Sequence, residues 1–234
     1  MLERAWEWIK MRDTFEKELN KLHVLFAEMG MMVNEAISHS VKAFSDHDNE
    51  LAQEVILRDK KINECENELE SLTLELIALY QPVTTDLRDV ITVLKASSDI
   101  ERIGDHAVSI SRATIKMKGT RRIPEIEVEI AKMGEQACVM VEQVLDAYIK
   151  NDEEQAYQIA DDDHKLDNAL ESIRDKCLKF MQNDPKTVVS GSHYTLVATY
   201  LERIGDYVTN VCEWVIFLKK GEIVELNKDH EEKR

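Results

Sequence analysis

At 234 residues, with 44% apolar side chains and only 7 Gly and 3 Pro, the chain is long enough for one sizeable domain or two small ones and ordinary in core-forming content. Its 46 Asp and Glu outnumber 30 Lys and Arg, a formal charge of -16, and a field of that sign repels phosphate backbones and anionic lipid alike, which argues against nucleic acid or membrane as a direct ligand. The natural ligands of such a surface are cations and basic protein patches, although a charge excess also serves solubility.

The opening stretch MLERAWEWIK is charged throughout, too short and too polar for a signal peptide, and no later window reaches ~18 uncharged apolar residues, so a cytoplasmic location is expected. Residues 1–10, with Trp6 and Trp8, are read as an extension outside the organisation that follows. Next come Leu19, Leu22, Phe26, Met29, Val33, Ile37, Val41 and Phe44, apolar at spacings of three and four, which predict an amphipathic helix over 12–46. Pro82, Gly119 with Pro124, Pro185, Gly191 and Gly221 mark the points where the helical pattern stops. Between them the pattern predicts helices over 49–80, 86–117, 125–150, 152–182 and 187–219, and no strand pattern of comparable length occurs. Cys65, Cys138, Cys177 and Cys212 stand at least 35 residues apart without a C-x-x-C pair and read as reduced core thiols.

The halves of the chain repeat. At an offset of 104, Met29-Gly30 aligns with Met133-Gly134, Val41 with Leu145, Phe44 with Tyr148, Ala52 with Ala156, Asp59 with Asp163 and Ile62 with Leu166. After the second helix the offset falls to 101, and Glu101-Arg102-Ile103-Gly104-Asp105 matches Glu202-Arg203-Ile204-Gly205-Asp206 without a mismatch. The expected fold is therefore all-α: two tandem three-helix bundles related by internal duplication, elongated because helices of ~30 residues run ~45 Å. The first repeat spans 11–120, the second 121–220, and 221–234 form a C-terminal tail.

Each E-R-I-G-D places two carboxylates at i and i+4 on one helix face. The second helix offers Asp59 with Asn63 in one copy and Asp163 with Asp167 in the other, at the same spacing. A short connection predicts that helices two and three of each repeat pack antiparallel, so that the pairs converge. Like charges at that spacing repel, and collecting three or four of them calls for a cation between them. Oxygen-only ligation suits Mg²⁺, Mn²⁺, Ca²⁺ or iron, including a bridged multinuclear iron site. Taken singly each pair reads as solvated surface, since 46 of 234 residues are acidic; the repetition of the pentapeptide raises the metal reading, more for the second copy than for the first, where Asn63 replaces an acid. Gly104 and Gly205 sit inside helices at a cost of roughly 0.8–1 kcal/mol each against Ala, which calls either for a close approach by an ion or helix or for tight packing. Arg102 and Arg203 lie ~100° around the helix from the preceding Glu and are expected to pair with other acids. His106 and His164 fall off the acidic face, and Asp86 reads first as an N-cap and second as an extra ligand for the first copy.

The segments QPVTTDLRDVITVLKASSDIERIGDHAVSI (81–110) and HYTLVATYLERIGDYVTNV (193–211), with the Met-Gly pairs, the Asp59 and Asp163 segments and the closing GEIVELN, resemble the PhoU family from about Met11 to Asn227. The resemblance implies two three-helix bundles that bind multinuclear metal clusters, most often iron, with zinc, manganese or magnesium as other ions. It places Glu101, Asp105 and Asp59, with Asn63 beside them, at one cluster, and Glu202, Asp206, Asp163 and Asp167 at the other. Asn63, Ser109 and Tyr207 depart from the family's usual residues, whereas Asn210 keeps the second site closer to the pattern. The resemblance also implies a homodimer that negatively regulates the phosphate-starvation regulon and modulates phosphate uptake. It would do so as an adaptor between the ATPase subunit of the phosphate ABC transporter and a sensor histidine kinase, reaching the membrane only through those partners.

Two other readings compete. A carboxylate-bridged dinuclear metal enzyme is also helical and acid-rich, but its usual E-x-x-H pairs are missing. A metal-free helical scaffold would use E-R-I-G-D for packing and surface ion pairs alone. No Gly-rich phosphate loop or Ser-His-Asp set is present to support a catalytic reading.

Overall fold

The computed structural model describes residues 2–226, with side chains from residue 10 onward. Of the extension 1–10 and the tail 221–234 assigned above, residues 1 and 227–234 lie outside the described residues. Among the described residues there is no strand. The first unit comprises α1 (Leu2–Asp46), α2 (Asn49–Tyr80) and α3 (Thr84–Lys116). The second comprises α4 (Pro124–Lys150), α5 (Glu153–Asp162), α6 (His164–Asn183) and α7 (Val188–Lys220), with one 3₁₀ turn, Pro185–Thr187, leading into α7. This is the duplicated three-helix architecture expected, with two differences. The first helix begins at Leu2 rather than at 12, and the helix expected over 152–182 is interrupted at Asp163, giving α5 and α6.

Local chemistry makes the corresponding corners alike. His47 (φ 58°) and Asn151 (φ 51°) end α1 and α4 in the left-handed region. The next residue in each, Asp48 or Asp152, turns its carboxylate onto the first free N–H groups of the following helix, Glu50 and Leu51 in one case and Gln155 in the other. Such caps satisfy donors that have no intrahelical acceptor. The entry to α3 is built otherwise. Its N-cap is Val83, with no side-chain cap, and Asp86 does not take the capping role expected of it; its carboxylate pairs with Arg12 of α1.

A single apolar core runs through both units. Within the first, α1, α2 and α3 pack on one another, and within the second α4 and α7 pack on α5 and α6; α1 against α4 and α3 against α7 join the two. The α1–α4 contact is reciprocal. A Cβ on Gly30 would lie 2.4 Å from Leu145 Cδ2, and a Cβ on Gly134 would lie 2.5 Å from Val41 Cγ2. Gly30 and Gly134 are repeat mates, as are Val41 and Leu145, so each helix inserts the side chain of the same repeat position into the other's glycine notch, and the two helices run antiparallel. The Phe26 ring packs edge-on against Tyr148 at 4.7 Å between centroids, continuing the same seam. No helix among the described residues is long and apolar enough to cross a membrane.

The two notches differ in how far their fillers can yield. Gly30 faces the flexible end of Leu145, whereas Gly134 faces the branched stem of Val41, whose Cβ itself would be 3.1 Å from the new atom. Gly134→Ala is therefore expected to destabilise the fold by about 1–2 kcal/mol even after its gain in helix propensity, with Gly30→Ala close to neutral. Urea unfolding of the two variants checks this, and adding Val41→Ala to Gly134→Ala should recover part of the loss.

Candidate metal centre

In the second unit the acids of α6 and α7 meet around one buried carboxylate. Asp163 is 3% exposed, and neither of its oxygens has a hydrogen-bond donor among the described residues. Its pKa is pushed up to about 8, first by burial and then by the charges of Asp206, Asp167 and Glu202, with the Thr209 hydroxyl acting weakly the other way. An isolated buried carboxylate is among the costliest groups a core can hold, and it either takes up a proton or finds a cation. Room for it comes from Gly205: a Cβ there would stand 2.1 Å from Asp163 Oδ1 and 2.7 Å from Leu166 Cδ1. The backbone tightens at the same point. The Asp163 N–H bonds Ala160 O at 3.3 Å and its carbonyl accepts Leu166 N–H at 2.8 Å, both three residues away, which is a 3₁₀ turn inserted in a long helix.

The first unit brings together the corresponding residues in a looser form. Asp59 is only half-buried; its Oδ2 accepts a long 3.4 Å contact from Asn63 Nδ2, and Asp59 Oδ1 and Asn63 Oδ1 have no partner among the described residues. Burial, and then Asp105, raise the Asp59 pKa. Glu101 is pushed up to about 7, by burial first, then by Asp105 and Glu66, against the pull of Arg102. Gly104 has no counterpart of the Asp163 approach, because a Cβ there would meet Ile62 Cδ1 at 3.4 Å, ordinary contact. The same pentapeptide thus makes a carboxylate cradle in one unit and plain aliphatic packing in the other.

Three side chains at these sites escaped the sequence reading. Glu66, whose charge raises Glu101, stands three residues beyond Asn63 on the same face of α2, a spacing that could have flagged it; its repeat mate is the buried Leu170, so repetition gave no signal. Thr209 is wholly buried, with a hydroxyl near enough to Asp163 to act on its carboxyl, though not in hydrogen-bond geometry. Cys212 is also wholly buried, and burial, followed by the Asp163 charge, raises its thiol pKa far above the ordinary value. Neither residue type stands out in a core helix. The arginines depart from expectation too: Arg102 reaches Asp105 of its own motif at 3.7 Å, and Arg203 reaches Asp206 at 3.1 Å and Glu202 at 3.7 Å, because i, i+3 places an arginine beside the second acid. His106 lies on the α3–α7 seam, its ring 5.7 Å from Tyr200 and 5.6 Å from Tyr207. His164 is exposed and turns to the carbonyl of Asp161.

Among the described residues no three His, Cys, Asp or Glu side chains stand close enough together to hold a metal ion as placed. The donor chemistry nevertheless fits a hard or intermediate cation: Asp163 is an orphaned buried carboxylate, Gly205 is a notch that a methyl would fill, and the charges acting on Asp163 are all carboxylates.

Comparison with known proteins follows the same two-unit division. The family model described as PhoU domain matches twice, over residues 26–114 and 130–215. The phosphate-specific transport system accessory protein PhoU homolog of Clostridium acetobutylicum is 36% identical over 217 residues, covering 92% of this chain and 99% of that protein. The Escherichia coli phosphate-specific transport system accessory protein PhoU is 32% identical over 208 residues, 89% of this chain and 86% of its own length. The crystal structure of the phosphate transport system regulatory protein PhoU from Streptococcus pneumoniae superposes with a TM-score of 0.85 at 30% identity, over 90% of this chain and 99% of that one. That of PhoU from Pseudomonas aeruginosa gives 0.84 at 31%, over 89% and 100%.

Two outcomes follow from the cradle. Gly205→Ala should lower the thermal midpoint by several degrees, whereas Gly104→Ala should be neutral or stabilising by up to about 1 kcal/mol through helix propensity; thermal melts of the pair separate the two. In the metal-free protein the folded-state pKa of Asp163, about 8, lies above the ordinary carboxyl value near 3.9. Between them the folded chain holds a proton that the unfolded chain has lost. This group's contribution to stability is therefore greatest at low pH and declines by up to about 1.4 kcal/mol per pH unit until pH passes 8. Asp163→Asn should flatten that slope in denaturant titrations from pH 5 to 8, and an unchanged slope would disprove the assignment.

Proposed function

The chain belongs to the PhoU family and has a role in regulating phosphate transport, and from that premise we propose that it is a non-enzymatic negative regulator of the phosphate-starvation regulon that also modulates high-affinity uptake. In this reading it works in the cytoplasm as an adaptor between the ATPase subunit of the phosphate ABC transporter and a sensor histidine kinase. The correspondence along nearly the whole length of accessory proteins of phosphate-specific transport supports the pathway. The long helical faces of both bundles offer the docking area an adaptor needs, and a surface of charge -16 favours basic patches on its partners. We take the working unit to be a homodimer, as the resemblance implies.

The metal part of the proposal is carried by one observation, the buried Asp163 carboxylate, neither of whose oxygens accepts a hydrogen bond of normal geometry among the described residues. Asp163 and Asp167 from the α5–α6 segment, with Glu202 and Asp206 from α7, would hold the stronger site; Asp59, Glu101 and Asp105, with Asn63 as a neutral donor, the weaker. A multinuclear cluster is the expected occupant, iron first, with zinc, manganese or magnesium as alternatives. When bound, it supplies positive charge that offsets the mutual repulsion of the carboxylates and ties α6 to α7. The chain's own residues do the rest. Gly205 admits the Asp163 carboxylate to the helix surface, and the tightened turn at Asp163 sets that side chain inward between α6 and α7.

Elemental analysis of the purified, tag-free protein beside a Glu202→Ala, Asp206→Ala variant of confirmed helicity tests the site. Bound metal in the wild type with a clear drop in the variant is the expected result; equal content in both, or none in either, would sink it. For the regulatory role, a phosphate-starvation reporter in phosphate-rich medium should be derepressed in cells lacking this protein and silenced again by the wild-type chain.

A further inference from the structure

Arg203 occupies a position in the second site that its mate does not occupy in the first. Its Nη1 donates to Asp206 Oδ2 at 3.1 Å, and its Nε faces Glu202 Oε2 at 3.7 Å, an ion pair beyond hydrogen-bond reach, so one guanidinium bonds the second acid of its own motif and sits beside the first. Those side chains are only 22% and 15% exposed, which places the ion pairs in a partly desolvated setting where Coulomb attraction is less screened than at the surface. In the first unit, the ion pair that Arg102 makes among the described residues is with Asp105, at 3.7 Å, with side chains 60% and 47% exposed. Two of the carboxylates assigned to the second metal site therefore already carry a cation, which the protein itself supplies.

An arginine cannot yield its place by losing a proton, because its pKa stays above the working range. It can only move, and at 40% exposure the Arg203 side chain has solvent to move into. An oxygen lone pair that accepts from the guanidinium is not available to a metal ion at the same moment. Metal binding then competes with the ion pair, and the observed affinity falls by the fraction of molecules in which the arginine is released.

We propose that Arg203 is the internal counter-ion of the second site, holding Glu202 and Asp206 in the metal-free chain and leaving them when a metal ion engages, so that this one side chain sets the site's metal affinity. The inference rests on the metal-binding reading given above and adds to it a residue that lowers affinity. It also separates the two units: removing Arg102 should change little, because its single long ion pair is largely exposed.

The test uses the full chain stripped of metal, with Mn²⁺ alone as probe, titrated against a competing chelator at fixed pH, in the wild type, Arg203→Gln, Arg203→Lys and Arg102→Gln. We expect Arg203→Gln to bind about tenfold tighter than the wild type, Arg203→Lys to fall between them because it keeps the charge without the planar fork, and Arg102→Gln to stay within about twofold. Melting temperatures provide a second readout. Arg203→Gln should melt lower than the wild type without metal yet match it when saturated with Mn²⁺, since the arginine has already left the acids in that state; a purely structural role would lower both. Affinity no tighter than the wild type, or equal loss of melting temperature in both states, overturns the inference and leaves the metal site standing. Should Arg203→Gln not fold, an Arg203→Lys affinity equal to the wild type overturns it by itself. No Mn²⁺ binding by any folded variant overturns the metal reading, and the inference with it.

Discussion

The reciprocal insertion of Leu145 into the notch at Gly30 and of Val41 into the notch at Gly134 holds the two units in one register. Both pairs come from the same two repeat positions, so the contact is a local two-fold between halves of one chain, and it fixes α1 and α4 as antiparallel neighbours. With that pair set, α3 and α7 meet antiparallel as well. Asp99 of α3 then accepts from Asn210 and Trp214 of α7 at 3.3 and 3.0 Å, and His106 stacks against Tyr200. Neither contact could form with the units slid by one helical turn. Dispersion and notch packing at the centre thus determine which polar groups face each other along the seam.

The seam also carries the polar groups that make the duplication asymmetric. At one end His23 of α1 bonds the Tyr148 hydroxyl at 2.6 Å and faces Asp89 at 3.3 Å. At the other, Glu127 of α4 accepts from Tyr194 at 2.7 Å and from Arg122 at 3.0 Å, with His47 at 3.2 Å. His23 and Glu127 are themselves repeat mates, so one ancestral position has become a base in one half and an acid in the other. Partly buried networks of this kind tolerate little sliding, which adds specificity to the packing at the centre.

A similar divergence separates the two metal-site candidates. Identical E-R-I-G-D pentapeptides face Ile62 and a half-buried Asp59 in one unit, and Leu166 and a fully buried Asp163 in the other. What differs is the helix opposite. A single 3₁₀ turn at Asp163 brings its carboxylate onto Gly205, and from there burial and three neighbouring acids raise its proton affinity. In the first unit α2 runs unbroken, Asn63 replaces one charge, and Glu66 contributes from a position that the second unit fills with Leu170.

Period and repeat were legible in the sequence because they lie in the order of residues itself, whereas the one cap read from it, Asp86, pairs with Arg12 instead. Apolar spacing of three and four predicts the helices, Pro and Gly mark where they stop, and an offset of 104 falling to 101 shows the duplication. The i, i+4 spacing places Glu202 with Asp206, and Asp163 with Asp167, on shared faces before any helix is packed. Beyond that, the answers depended on which residues a second helix brings near. The depth at which Asp163 is buried and the roles of Glu66 and Thr209 arise from contacts between segments 30 or more residues apart, or from the solvent those contacts exclude. Desolvation and long-range charge act through space, so the linear order of residues determined which groups could meet, and the tertiary structure alone decided which of them did and what it cost to bury them.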